Sequence, residues 1–161
     1  MLDLVVIVVS YRSAKDVATL LATVPGAVGS LSWKAIVVNN DPADESTWVV
    51  ANHPEARVVD ARTNLGYAGG INLGRRAAPP SRWTVFLNPD LRLAPHALER
   101  MAVVAGVGDA VVPTIVDETG AVQLSLRQEP SFLGSLGDAV FGKRWRGRPR
   151  RLSETIRTRS T

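Results

Sequence analysis

The strongest constraint on the fold is a run of six apolar residues near the start of the chain, Leu4 to Val9, of which five are β-branched. A continuous run of this kind, without polar alternation, is typical of a strand that is covered on both faces in a parallel sheet. Strand-length segments recur at residues 34–38, 56–59 and 83–87, and segments with helical spacing lie between them. This alternation predicts an α/β fold with a mostly parallel sheet.

The helices are predicted from apolar spacing and from the residues that begin or end them. Ser13 and Asp16 indicate a helix start, and apolar residues follow at the spacing of one buried face until Pro25-Gly26, where we expect the helix to end. The other predicted elements are helices over 46–51, 64–79 and 94–104, a fifth strand over 110–112, and a hairpin with strands 115–116 and 121–124.

The composition fits one globular domain, because 161 residues with 45% hydrophobic content are enough to build a core. The absence of cysteine excludes disulfides and thiolate metal sites, and it fits a reducing compartment. Asp3 stands where an export signal carries basic residues, and the apolar run that follows is too short to span a membrane. We therefore expect a cytoplasmic protein without either segment.

The basic charge is concentrated at the end of the chain. Residues 1–120 hold 10 basic and 12 acidic residues, whereas residues 121–161 hold 9 and 3. We predict a folded domain over 1–142 and a flexible basic tail over 143–161. Three interpretations of the basic run at 143–151 remain open: contact with an anionic membrane surface, a solvated end of the chain, or binding of nucleic acid, which we do not expect because no recognition fold accompanies the run.

Polar residues follow each of the four predicted parallel strands. Because the carboxyl ends of parallel strands meet at one edge of the sheet, these residues are expected to gather where ligands of α/β folds bind. Each polar end taken alone is also explained by the solvation of a loop. Their repetition favours a ligand site built from residues 10–12, 39–41, 60–62 and 88–90.

The residue types at this edge suit an anionic ligand and a metal ion. The carboxylate of Asp90, with the amide of Asn88 beside it, suits a hard divalent cation that takes its other ligands from water and phosphate. The glycines at 66, 69 and 70 allow the backbone to approach a ligand and to present N–H groups to an anion. No glycine-rich turn follows the first strand and no P-loop pattern is present, so both familiar nucleotide-binding motifs are disfavoured.

Four segments in order carry a resemblance to a known family: 5–11, 36–40, 64–74 and 86–90. Together they resemble the family 2 glycosyltransferases of the GT-A fold, and most closely the rhamnosyltransferase-like branch, whose metal motif is Asn-Pro-Asp. The resemblance covers residues 4 to about 131. It implies a Rossmann-like three-layer sandwich and an inverting transfer of a sugar, such as rhamnose, from a nucleoside-diphosphate sugar to a cell-wall or surface-polysaccharide acceptor.

The resemblance also implies roles for matched positions. Asp90 corresponds to the carboxylate that binds Mg²⁺ or Mn²⁺ against the diphosphate of the donor. The acceptor is expected to be a saccharide or a lipid-linked saccharide, which would place the protein at the inner face of the plasma membrane. The positions matched to nucleotide-sugar contacts are Ser10, Tyr11, Asn39, Asn64, Gly66, Gly70, Asn72 and Asn88.

The sequence departs from the family pattern in two ways. Asn39 stands where an aspartate is usual, and Arg12 where an asparagine is common, which puts the identity of the nucleotide in doubt. The segment that supplies the general base is not matched, so the catalytic residue is unassigned; the downstream acids include Asp117, Glu118, Glu129 and Glu154, and none of these lies in a matching motif. We therefore expect the donor half of a glycosyltransferase, incomplete at the C-terminus, and alternatively a non-catalytic module that binds a nucleotide-sugar or a partner.

Overall fold

The computed structural model describes residues 1–41, 52–106, 110–117 and 119–123. They belong to two compact units, Met1–Ala110 and the part that begins at Val111. The predicted helix over 46–51 and the basic tail lie outside the described residues. In the first unit the described elements are β1 (Leu2–Ser10), α1 (Ala14–Val28), β2 (Trp33–Asn39), β3 (Ala56–Asp60), α2 (Gly66–Ala77), β4 (Ser81–Leu87) and α3 (Ala97–Val104).

The four strands of the first unit form one parallel sheet in the order β3-β2-β1-β4. The chain passes from β1 through β2 to β3 on one side, and then returns to the other side of β1 to form β4. This topology confirms the predicted α/β fold. The strand order reverses at β1, and ligands of open α/β sheets bind in the crevice outside the carboxyl ends of the strands at such a point.

The continuous apolar run of β1 is explained by the two helical layers that cover it. Leu4, Val6 and Val8 belong to a core cluster that includes the buried residues of α1 and Leu98 of α3. The alternate side chains of the same strand belong to a second cluster, which packs against Ile71 and Leu73 of α2. Because successive side chains of a strand point to opposite faces, one strand supplies both cores. The predicted three-layer arrangement is confirmed.

The predicted end of α1 at Pro25 is wrong, because the helix continues to Val28 with the proline inside it. A proline in a helix interior removes a backbone hydrogen bond and crowds the preceding turn. Here the last turn carries Ala27 and Val28, which are 0% and 1% exposed in the main core. Burial of these two side chains outweighs the local cost of the proline. The last predicted helix also starts later than expected, at Ala97.

The apolar run of β4 does not form a fully buried strand in the described part of the sheet. β4 pairs with β1, and among the described residues it forms the edge of the sheet. Its side chains alternate in exposure, and Phe86 is 47% exposed although it is apolar. An apolar run of this length does not by itself distinguish a central strand from an edge strand, because both bury at least one face.

The second unit contains the predicted hairpin, formed by β5 (Ile115–Val116) and β6 (Val122–Gln123). Asp117 organises its turn, because Oδ1 accepts hydrogen bonds from Thr119 N at 2.9 Å and from Ala121 N at 3.0 Å. The predicted strand over 110–112 is wrong, since residues 110–114 have no regular secondary structure. The predicted domain limit at residue 142 lies outside the described residues and stays a prediction.

Candidate functional site

The carboxyl ends of the strands meet at one edge of the sheet, as predicted. In the strand register Ser10 is paired with Asn39, and Asn39 with Asp60, so that three polar residues lie in a row across β1, β2 and β3. Backbone hydrogen bonds continue past the strands, from Asn40 N to Ser10 O at 2.8 Å and from Ala61 N to Asn39 O at 2.9 Å. The row is therefore held by a backbone ladder and does not depend on flexible loops.

The side chain of Asn39 is used inside the protein. It is 5% exposed, and its Nδ2 donates to Asp60 Oδ1 at 3.0 Å while its Oδ1 accepts from Asp41 N at 3.2 Å. Both ends of the amide therefore have partners in the row, as a buried polar group requires. The Asp60 carboxylate that this amide anchors is exposed. The sequence analysis placed both residues at the predicted ligand edge, and the family resemblance assigned a nucleotide-sugar contact to Asn39 alone.

The neighbouring Asn40 fixes the glycine-bearing segment that leads into α2. Its buried side chain accepts a hydrogen bond from Leu65 N at 3.0 Å and donates to Asn64 Oδ1 at 3.0 Å and to Gly66 O at 3.3 Å. Asn64 Oδ1 also accepts from Gly66 N at 2.8 Å. The Asn64 side chain thus stabilises the start of α2. Asn40 lies in the segment 39–41 that the sequence places at the ligand edge, but no individual role was predicted for it.

The predicted glycines of this segment have different structural roles. Gly66 has a φ of +69° at the first position of α2, a backbone conformation that favours glycine. Gly70 lies against β1, where an added Cβ would come within 2.8 Å of Val9 Cγ1. Gly74, one turn later, would bring a Cβ within 2.6 Å of Ile7 Cγ2. The structure therefore explains Gly70 by helix–sheet packing, and its contact with a ligand stays a prediction, as does that of the exposed Asn72.

A basic and an acidic side chain lie together at the end of β1 and β2. Arg12 Nε donates to Asp41 Oδ2 at 2.9 Å, and its guanidinium carbon lies 5.2 Å from the centre of the Tyr11 ring. The hydrogen bond that Arg12 donates to Asp41 raises the pKa of Arg12, so the cation persists. Tyr11 is partly exposed beside it, whereas Ser10 is fully buried with its Oγ 3.1 Å from Ser13 Oγ. This corner offers a flat ring and a fixed positive charge to a ligand.

The residues after β4 are arranged more openly. Asn88 and Asp90 are exposed in a tight turn in which Leu91 N donates to Asn88 O at 3.4 Å. Among the described residues, no hydrogen bond or ion pair engages the Asp90 carboxylate. The described residues also contain no group of three or more acidic, histidine or cysteine side chains that would hold a metal ion by themselves. One open carboxylate suits a hard cation that completes its ligands with phosphate oxygens and water.

The chain belongs to glycosyl transferase family 2, whose family model matches residues 5–155. This membership confirms the resemblance that the four sequence segments carry. The class agrees with the fold, since a parallel sheet with its polar edge at the strand-order reversal is a nucleotide-binding architecture.

Two characterised relatives are similar to this chain in sequence. The N-acetylglucosaminyl-diphospho-decaprenol L-rhamnosyltransferase of Mycobacterium tuberculosis is 26% identical over 157 residues, which cover 89% of this chain and 51% of the relative. The low-salt glycan biosynthesis hexosyltransferase Agl10 of Haloferax volcanii is 33% identical over 95 residues, covering 56% of this chain and 29% of the relative. The chain thus spans about half the length of the mycobacterial relative and less of the archaeal one.

Solved structures support the fold. The crystal structure of S. aureus TarS 1-349 superposes with a TM-score of 0.54 at 21% identity, covering 69% of this chain and 38% of that one. The complex of the same protein with UDP gives the same TM-score, identity and coverage. At this identity the likeness establishes the GT-A-like α/β architecture and leaves the ligand to be argued from the residues themselves.

Proposed function

We propose that this chain binds a nucleoside-diphosphate sugar along the polar edge and takes part in transfer of its sugar to an acceptor. The observation that carries the proposal is the coexistence of a hydrogen-bonded row at the ends of β1, β2 and β3 with an open carboxylate, Asp90, after β4. A ligand that is polar at one end and anionic at the other fits such an edge. Family membership supports a sugar donor as the ligand.

A divalent cation is part of the proposal. Asp90 would hold Mg²⁺ or Mn²⁺ with Asn88 beside it, because an exposed carboxylate without a protein partner is available to a hard cation. The bound cation would supply charge neutralisation of the leaving diphosphate. The N-terminus of α2, where Gly66 is held by Asn64, would direct backbone N–H groups towards the same anionic ligand. The predicted contacts of Ser10, Tyr11 and Asn72 belong to the same proposal.

For the sugar and the acceptor, we propose rhamnose and a lipid-linked saccharide used in cell-wall or surface-polysaccharide synthesis. The support is similarity to a mycobacterial protein whose name specifies an L-rhamnosyl group and a diphospho-decaprenol acceptor. In the described part of the chain, no helix has the length and apolar character needed to cross a membrane. Peripheral contact of residues 143–151 with an anionic membrane surface remains our proposal for how the chain would reach such an acceptor.

Binding without transfer is the second candidate function. An inverting transfer needs a carboxylate or another base within hydrogen-bond reach of the attacking hydroxyl. Of the downstream acids, Asp117 lies in the described part, and its Oδ1 is occupied by Thr119 and Ala121 in the hairpin turn. The same hydrogen bonds, that from the Thr119 side chain above all, lower the pKa of Asp117, which makes it a weak base. This observation favours a binding role for the described residues.

The test of the proposed function is calorimetric titration with dTDP-rhamnose, UDP-sugars and GDP-mannose, each with and without Mn²⁺. We expect one nucleotide-sugar to bind, with an affinity that Mn²⁺ increases about tenfold or more. Asp90→Asn should remove the increase, and the control Asp16→Asn, an exposed acid on α1, should keep it. Absence of binding by every nucleotide-sugar would refute the proposal. Product analysis with a lipid-linked acceptor then separates transfer from binding alone.

A further inference from the structure

We propose that Asp60, held in place by Asn39, is the specificity-determining carboxylate that binds the nucleoside part of the donor. The inference rests on the proposed nucleotide-sugar binding and names a residue to which the sequence comparison gives no role. In the structure, Asn39 Nδ2 donates to Asp60 Oδ1 at 3.0 Å, and the two residues are register partners on β2 and β3. The acid is exposed at the edge of the sheet, whereas the amide is buried.

The described acids at the ends of β2 and β3 differ in whether a ligand can reach them. Asp41 is engaged by Arg12, and its side chain is 11% exposed. Asn39 carries no charge, and both ends of its amide are engaged by Asp60 and Asp41. Asp60 has one oxygen fixed by Asn39, and among the described residues no side chain engages the other oxygen. Among the described residues, Asp60 is therefore the acidic acceptor that this part of the edge presents outward.

The orientation of the Asp60 side chain is fixed by a buried neighbour. An exposed aspartate ordinarily samples several rotamers, and ordering it on binding costs free energy. Here a nearly fully buried amide donates to it, and that amide is in turn fixed by the backbone N–H of Asp41. Because the buried Asn39 amide orients the exposed carboxylate of Asp60, that carboxylate is a preorganised hydrogen-bond acceptor. Asn39 is accordingly a positioning residue, and Asp60 is the residue that contacts the ligand.

The separation of Asp60 and Asp90 along the sheet edge indicates which part of the donor reaches Asp60. In the strand order β3-β2-β1-β4, Asp60 ends β3 and Asp90 follows β4, so three strand spacings separate them. At about 4.8 Å a spacing this is about 14 Å, which an extended nucleoside diphosphate spans. With the diphosphate at Asp90, the nucleoside extends across β1 and β2 towards Asp60. Its hydrogen-bond donors are the imide N–H of a pyrimidine and the ribose hydroxyls, both of which a carboxylate accepts.

Repulsion between like charges explains why an amide, and not a carboxylate, stands at position 39. A carboxylate there would lie within hydrogen-bond distance of Asp60, and two carboxylates at that distance do not both remain ionised. The amide instead donates a hydrogen bond to Asp60 and adds no second negative charge beside it. The charge of the pair is therefore presented from β3 and not from β2.

The experiment measures binding of UDP, dTDP and N3-methyl-UDP to the full chain without metal, by calorimetry or ligand-observed NMR. We expect Asp60→Asn to weaken binding of UDP about tenfold or more, because it removes a charge-assisted hydrogen bond. The variant keeps an oxygen that can accept from Asn39 Nδ2, so the unfolding temperature should be unchanged. Glu55→Gln, which removes a carboxylate that pairs with Lys34 at the opposite end of β3, serves as the control.

Comparison of UDP with N3-methyl-UDP shows whether the imide N–H or a ribose hydroxyl donates to Asp60. If the imide N–H binds Asp60, wild type discriminates against N3-methyl-UDP and Asp60→Asn does not. If a ribose hydroxyl binds Asp60, N3-methyl-UDP is tolerated and the variant loses affinity for UDP. Either result supports the inference. Unchanged affinity of a folded Asp60→Asn variant for both nucleotides would overturn it while leaving the proposed function intact. Absence of binding by wild type, for every nucleotide-sugar of the first experiment and also with Mn²⁺, would instead refute the proposed function.

Discussion

The two parts of the polar edge are built differently. We call the ends of β2 and β3 the locked part. Hydrogen bonds of 3.0 Å join its side chains in two pairs, Asn39 with Asp60 and Asn40 with Asn64. The first member of each pair is buried. At the end of β4, which we call the open part, Asn88 and Asp90 are exposed. A surface that must discriminate between similar ligands benefits from fixed acceptors, whereas a surface that shares a cation with a ligand needs a free carboxylate. The difference indicates a division of labour along one edge.

The largest expected effect concerns the helix that covers the locked part. Gly74→Val places a branched side chain where even a Cβ would lie 2.6 Å from Ile7 Cγ2 and 3.1 Å from Val38 Cγ2. Because α2 must move away from the sheet, we expect the free energy of unfolding to fall by about 3 kcal/mol. Chemical denaturation measures this change. Gly26→Ala, on an open face of α1, is the control and should stabilise the protein by about 0.5 kcal/mol.

The second prediction concerns the hydrogen bonds by which the buried Asn40 side chain connects the locked part to the start of α2. Asn40→Ala removes the acceptor of Leu65 N and one of the two donors to Asn64 Oδ1. We expect a loss of about 2 kcal/mol in the free energy of unfolding, since the hydrogen bonds of a buried side chain are lost. The exposed Asn72→Ala should change it by less than about 0.5 kcal/mol. If both variants were equally stable, the locked part would not be held in the way described.

The third prediction concerns the pairing of amide and acid. Asn39→Asp brings two carboxylates to the distance of a hydrogen bond, and we expect a cost of about 1 kcal/mol near neutral pH because Asp60 is exposed and partly screened. Addition of Asp60→Asn should restore the lost stability, which a double-mutant cycle measures. Independent effects of the two substitutions would argue against a coupled pair.

The smallest effect concerns the segment that follows the open part. Glu99 on α3 accepts from Ser30 and is bonded to His96 Nδ1 at 2.7 Å, and the hydrogen bond with His96 is the main cause of its lowered pKa. A lowered folded pKa contributes stability above the unfolded pKa, and the contribution is lost as the pH falls through the folded value. The difference in melting temperature between wild type and Glu99→Gln should therefore shrink between about pH 7 and about pH 3.

Much of the fold follows from local sequence, because the continuous β-branched run of β1 requires cover on both faces. The polar edge also follows, since parallel strands align their carboxyl ends. What sequence reasoning missed depends on tertiary contacts: the helix that continues past Pro25 is held by the burial of Val28, and the exposure of Phe86 depends on what lies beside β4. The role of Asp60 was also hidden, because it arises from a register partner 21 positions away in the chain.

The division of the edge into two parts is tested most directly by NMR of the isotope-labelled chain with UDP or dTDP, whichever binds more tightly. Without metal, we predict that the nucleotide shifts the resonances of Tyr11, Asp60 and the Asn39 side-chain amide. Addition of Mn²⁺ should then broaden the resonances around Asp90 first, because paramagnetic broadening is strongest nearest to the ion. Broadening centred on Asp60, or nucleotide-induced shifts confined to the end of β4, would contradict the account.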